Sequence, residues 1–236
     1  MNINLRIIET FMSLITMFVA YIITETSSGF FRAWVAKQMG DDSPERDGYL
    51  SLNPLVHLDF IGVIFLFIYN FGWGRYIPIN HHAIQEPFKK LKITAAYFSD
   101  TLARILIALV ALVILLQTFG LTMLELAKPM ILNKHIALPI LAHFYPDKSS
   151  LALTLAVILA GIIYLCVLLA VLNLIINSVR LIILFYFHES LGAGYLEFFI
   201  PIMLIILLAD PLQHFAVESI ITIAYQITRL LGGSFS

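Results

Sequence analysis

Long apolar runs broken by short polar islands set the pattern of this chain. The first run extends from Ile7 to Thr24, passes through Glu25-Thr26-Ser27-Ser28-Gly29, and resumes over Phe30 to Ala36. Taken as one helix, residues 7–37 reach about 46 Å at ~1.5 Å per residue. That exceeds the ~30 Å hydrocarbon core, so the helix is expected to project from the membrane or to kink near Gly29. Lys37 to Tyr49 is polar and turn-rich, and reads as a loop. Tyr49 to Leu52 predicts a short strand ended by Asn53-Pro54. Phe60 to Phe71 is apolar but only about a dozen residues long, which fits a re-entrant or interfacial segment as well as a span. Gly72-Trp73-Gly74 breaks it, and Trp73 and Tyr76 are expected in an aromatic belt.

A further span is predicted from Ile93 to Phe119, preceded by Lys89, Lys90 and Lys92, a head-group contact by composition. Pro129, Pro139 and Pro146 limit any helix between Gly120 and Ser150 to a short one. Residues 151–187 carry no proline and would reach about 55 Å as one helix. Asn173, Asn177, Ser178 and Arg180 in the second half predict a break or kink there, giving two helices or half-helices. The last apolar stretch, Phe198 to Leu231, is interrupted by Asp210-Pro211 and predicts two short spans or one broken one.

Composition turns this pattern into a class. Of 236 residues, 60% are hydrophobic and 12% charged, against about 25% charged in a soluble domain. The expected fold is an all-α polytopic membrane protein, one domain over residues 1–236, with about six membrane segments and a short strand or loop insertion after the first. The lipid bilayer is the first expected partner. A net charge of −1 excludes a nucleic-acid role, which requires a basic face. Cys166, the one cysteine, permits neither an intrachain disulfide nor a cysteine metal cluster. The first run lacks a small-residue cleavage site and reads as a retained helix.

Four landmarks then resemble one family in its order. They are Ala33-Trp34-Val35-Ala36 with Met39-Gly40-Asp41, and Leu52-Asn53-Pro54-Leu55-Val56-His57-Leu58-Asp59 with Ile61-Gly62. Gly72-Trp73 with Ile77-Pro78-Ile79-Asn80 and Pro87 follows, and then, more weakly, Asp210-Pro211-Leu212. Together they resemble the site-2 proteases, intramembrane zinc metalloproteases, in a compact bacterial form. The resemblance implies a bacterial inner-membrane location and a peptide-docking loop containing Leu52, Asn53, Pro54, His57 and Asp59.

The departures fall on the chemistry. A zinc protease of this kind needs two histidines at i and i+4, with an adjacent Glu as general base. Anchored on Ala33-Trp34, the histidine positions hold Ser28 and Arg32 and the base position holds Gly29. A register one turn earlier offers Thr24, Glu25 and Ser28, still without histidine. The family's third ligand, an aspartate after Asn-Leu, aligns from Asn173-Leu174 to Leu181 or its neighbour Arg180. Its Gly-Pro before the third core helix is replaced near Asp100-Thr101. The vestigial positions are thus Ser28, Gly29, Arg32 and Leu181, and no zinc cofactor is expected.

Charges inside membrane segments are costly and mark function or structure. Glu25 and Arg32, seven apart, share a helix face; Asp100 and Arg104, four apart, can pair directly; Asn173, Asn177 and Arg180 form one stripe. These stripes are expected to face one another around the vacated metal site, with guanidinium groups supplying the positive charge. The plain alternative is that some of these charges snorkel to the interface. His81-His82 and the scattered His135, His143, His188 and His214 read as loop or interfacial residues. The leading function is that of an inactive homologue binding a transmembrane or peptide client. The alternatives are an active protease using Glu25, His57 and Asp59 with zinc, and a transporter or channel using the polar stripe. Client identity, orientation and oligomeric state are not encoded in these patterns.

Overall fold

A computed structural model of the chain describes residues 3–133, 138–186 and 193–230. It is helical throughout, with α1 (Ile3–Gln38), α2 (Ser43–Arg46), α3 (Pro54–His57), α4 (Phe60–Tyr69), α5 (Lys89–Phe119), α6 (Leu121–Asn133), α7 (Leu138–Phe144), α8 (Ser150–Tyr186) and α9 (Ala193–Leu230). Three helices are long and apolar enough to cross a membrane: Thr10–Gln38 of α1, α5 and α8. Three of the about six segments expected from the sequence are thus candidate spans among the described residues. Phe60–Tyr69 is an apolar helix of 10 residues, too short for the ~20 residues that a span requires.

The core is built on α8, which packs against α1, α5 and α9. Up to Leu172 it is apolar on nearly all sides, the pattern of a helix with no solvated face. Gly161 lets α1 approach closely: a Cβ there would lie 3.2 Å from both Ala20 Cβ and Met17 Sδ. Small residues at such crossings are how membrane helices gain packing energy. In α5 the distribution is inverted relative to a soluble helix. Leu102, Ile105, Leu106, Leu109 and Val110 are exposed, whereas Asp100 and Arg104 are buried. An apolar outside around a charged inside is what lipid solvation selects.

Several expectations are corrected. Tyr49 to Leu52 forms no strand, and there is none among the described residues; the one extended pairing is an isolated antiparallel bridge between Leu58 and Gly74. Residues 49–52 lack a neighbouring strand, and the Ser51 carbonyl is engaged by His57 instead. Of the break or kink expected after Asn173, a break into two helices does not occur, because α8 is continuous to Tyr186. Its polar groups are satisfied without breaking the backbone: Ser178 donates to the Leu174 carbonyl and Asn177 donates to the Tyr97 carbonyl. α1 runs through Gly29 and α9 through Asp210-Pro211 as single helices. The 121–144 region holds two short helices with Pro129 inside the first, as its prolines require. His135 and His188 lie outside the described residues.

Candidate functional site

The charged residues of α1 and α5 meet in two crossed ion pairs. α1 presents Glu25 and Arg32 on one face, about two turns apart. α5 presents Asp100 and Arg104, one turn apart and on its buried face. Arg104 grips Glu25 with a fork of two hydrogen bonds, Nη1 to Oε1 and Nη2 to Oε2, both 2.9 Å. Arg32 Nη1 donates to Asp100 Oδ2 at 3.0 Å. The direct Asp100–Arg104 pair open to them in sequence does not form, because each finds its partner on α1. All four residues are at most 6% exposed. In such surroundings an ion pair is held only when its remaining donors and acceptors are also met.

Asp100 meets that condition. Its Oδ2 accepts from Arg32 and from Asn173 Nδ2, both at 3.0 Å. Its Oδ1 accepts from the Thr101 amide at 2.8 Å and from Asn177 Nδ2 at 3.3 Å. The carboxylate thus ties α1, α5 and α8 at one point. Arg180 joins from α8 by lying over the Tyr76 ring at 4.1 Å. Arg32 is flanked by the Tyr76 and Tyr97 rings at 5.3 and 5.5 Å, within cation–π range. Tyr76 therefore serves the cation cluster rather than a simple belt, and Trp73 packs on Phe65 at 4.8 Å.

These side chains border a cavity of about 390 Å³. Ser28, Gly29, Arg32, Asn173, Asn177 and Arg180 all line it. Leu181 does not; it is buried in a neighbouring apolar cluster with Ile79, Ile93 and Tyr97. Of these two neighbours it is Arg180 that faces the cavity, because adjacent helical residues point about 100° apart.

The loop between α2 and α5 closes the cavity's other side. His57 is buried, and its Nε2 lies 2.7 Å from the Ser51 carbonyl oxygen. Its ring fills the space beside Gly29, where a Cβ would fall 2.4 Å from Nδ1. Gly74 is constrained in the same way: its Cβ would lie 2.2 Å from Glu25 Oε2 and 2.9 Å from the His57 carbonyl oxygen. Tyr21 anchors this loop by donating to the Trp73 carbonyl at 2.7 Å. Asn53 caps α3 by accepting from the Leu55 amide, and Asp59 caps α4 by accepting from the Gly62 amide. Leu52, at 68% exposed, and Leu55, at 74%, stand outward with Phe60 and Ile61; Pro54 opens α3.

A catalytic zinc site requires three protein ligands converging on one point, with a position left for water. The donors here do not fit that need. Glu25 is held by the Arg104 fork and Asp59 by its cap, which leaves His57 Nδ1, buried against Gly29, as a single donor without a second ligand beside it among the described residues. Four arginines, Arg32, Arg75, Arg104 and Arg180, line the cavity, where an added cation would be repelled. Among the described residues no group of three His, Cys, Asp or Glu side chains converges for a metal. His81 and His82 lie ring to ring at 4.3 Å outside this cavity.

Comparison with known proteins gives one partial relative. Over 108 residues the chain is 31% identical to a Bacillus subtilis (strain 168) protein named "Putative zinc metalloprotease YwhC". The matched region is 45% of this chain and 48% of that protein, so the chain spans about half of the relative's length. No family model matches, and no solved structure matches. Homology to a protein of protease-like name thus covers part of the chain, alongside three candidate membrane helices.

Proposed function

We propose that this chain is a site-2 protease-like protein of the bacterial inner membrane that binds a transmembrane or peptide client without cleaving it. The observation that carries this reading is the double cross-tie in the cavity. Glu25 and Asp100, the two buried carboxylates among the described residues lining the cavity, are each held by an arginine. Hydrolysis of a peptide bond by this class of enzyme needs a metal-bound water and a general base. Gly29 stands at the base position of the resemblance, and the His57 ring fills the room a side chain would take there. The partial relative supports the scaffold, and the donor chemistry separates this chain from its activity.

Client binding is assigned to the loop beside the cavity. Leu52, Leu55, Phe60 and Ile61 offer exposed apolar surface, and Ile61 and Asp59 also line the cavity. A client segment laid against this loop would bury the exposed apolar side chains of Leu52, Leu55, Phe60 and Ile61. α4 and the remaining apolar stretches complete the six-segment arrangement as interfacial or additional membrane elements.

The test uses purified full chain in detergent with a single-span model peptide. The expected result is no cleavage, with or without added zinc, and cross-linking of intact peptide from a photoreactive residue placed at Leu55. Chelator-sensitive cleavage that disappears in Glu25→Gln would refute the reading.

A further inference from the structure

Arg32 has an unfilled hydrogen-bonding edge. The residue is 4% exposed and lines the cavity. Its Nη1 is engaged by Asp100, but Nε and Nη2 are buried without a hydrogen-bond partner. Those two N–H groups share one edge of the guanidinium plane, the edge that takes a carboxylate through two parallel hydrogen bonds. Buried donors without acceptors are costly and rare. Two of them side by side, in a cavity wall, indicate a planar acceptor with two oxygens.

The charge of the cavity points the same way. Among its described lining residues, Arg32, Arg75, Arg104 and Arg180 stand against Glu25, Asp59 and Asp100. One added carboxylate balances the set, with Arg32 bridging it to Asp100. Tyr76 provides the way in. Its ring lies against both Arg32 and Arg180, yet the residue is 44% exposed. It is the part of the wall that also faces outward.

We propose that the Nε–Nη2 edge of Arg32 receives an acidic side chain, Asp or Glu, from a membrane-embedded peptide client, with Tyr76 turning aside to admit it. The proposal rests on the client-binding reading of this cavity. Arg32 and Arg180 lie about 9 Å short of the ends of α1 and α8, at ~1.5 Å per residue. The client's acid is therefore placed at the level of Arg32 and Arg180, about six residues from the matching end of the client's own helix. An acidic side chain at that depth is costly in lipid, and the arginine edge relieves that cost. A phospholipid phosphate has similar oxyanion chemistry, but a cavity of about 390 Å³ suits a side chain better than a lipid with two acyl chains.

The experiment compares two synthetic single-span peptides, identical except for Glu or Gln at that depth. Binding to the purified full chain is measured by fluorescence anisotropy in maltoside detergent, which carries no phosphate. The Glu peptide is expected to bind at least tenfold tighter to the wild type. Arg32→Lys keeps a cation beside Asp100 but removes the planar edge, and is expected to abolish the preference while the protein stays folded by size-exclusion profile. Arg180→Gln is expected to reduce it. Equal affinity for the two peptides in the wild type, or an unchanged preference in Arg32→Lys, overturns the proposal. A preference erased by molar-excess phospholipid assigns the edge to a lipid phosphate and also overturns it. Zinc content and cleavage measured on the same samples report separately on the pseudoprotease reading.

Discussion

Removing either member of the Glu25–Arg104 pair should have unequal effects. The pair is a fork of two 2.9 Å hydrogen bonds between side chains that are 3% and 6% exposed. Breaking one side of such a buried pair costs about 3–5 kcal/mol, whereas replacing both by apolar residues is near neutral or stabilising. Glu25→Leu leaves a guanidinium that cannot lose its proton, so its cost falls at the upper end of that range. Arg104→Met leaves a carboxyl group that a proton can neutralise, so its cost falls at the lower end. The double variant should be less destabilised than Glu25→Leu alone, so the coupling should exceed the Arg104→Met loss of about 3 kcal/mol. Equilibrium unfolding of the four proteins in mixed micelles measures the cycle. Additive losses, or less than about 1 kcal/mol for Glu25→Leu, would show that this pair does not hold α1 to α5.

Further outcomes follow from the same contacts. Gly29→Ala forces the His57 ring away and should destabilise by about 1–3 kcal/mol; adding His57→Ala should restore part of that in the same unfolding assay. Gly62→Ala places a Cβ 2.0 Å from the Trp73 carbonyl oxygen, so proteolysis between α4 and α5 should accelerate sharply. Asn177→Leu leaves the Tyr97 carbonyl without its side-chain donor and removes one contact to Asp100. It should cost about 1–3 kcal/mol, read by thermal unfolding.

Much of the site was legible as spacing. Seven residues from Glu25 to Arg32, four from Asp100 to Arg104, and the Asn173–Asn177–Arg180 stripe each define a helix face without any structure. Which face meets which was not legible. Asp100 and Arg104 satisfy an i, i+4 rule, yet they pair across helices, because the choice depends on how α1 packs. Leu181 and Arg180 differ by one position in a weak alignment, and one position on a helix separates a cavity wall from an apolar cluster. Polar residues in α8 predict a broken helix or a satisfied network equally well; neighbours on α5 decide for the network. Gly74 read as a chain break, and nothing in the sequence shows that Glu25 occupies the space its Cβ would need. Tyr76 gave an interfacial signal by composition, while its stacking on Arg180 and Arg32 depends on chain distant in sequence.

The central claim is that arginines, and not a metal, organise the charged centre of this membrane domain. Zinc content of the full chain, purified from zinc-supplemented cells and measured by plasma mass spectrometry, tests it most directly. The account predicts zinc well below one equivalent, unchanged in His57→Ala and Glu25→Gln. One tightly bound zinc per chain, lost in either variant, would contradict it.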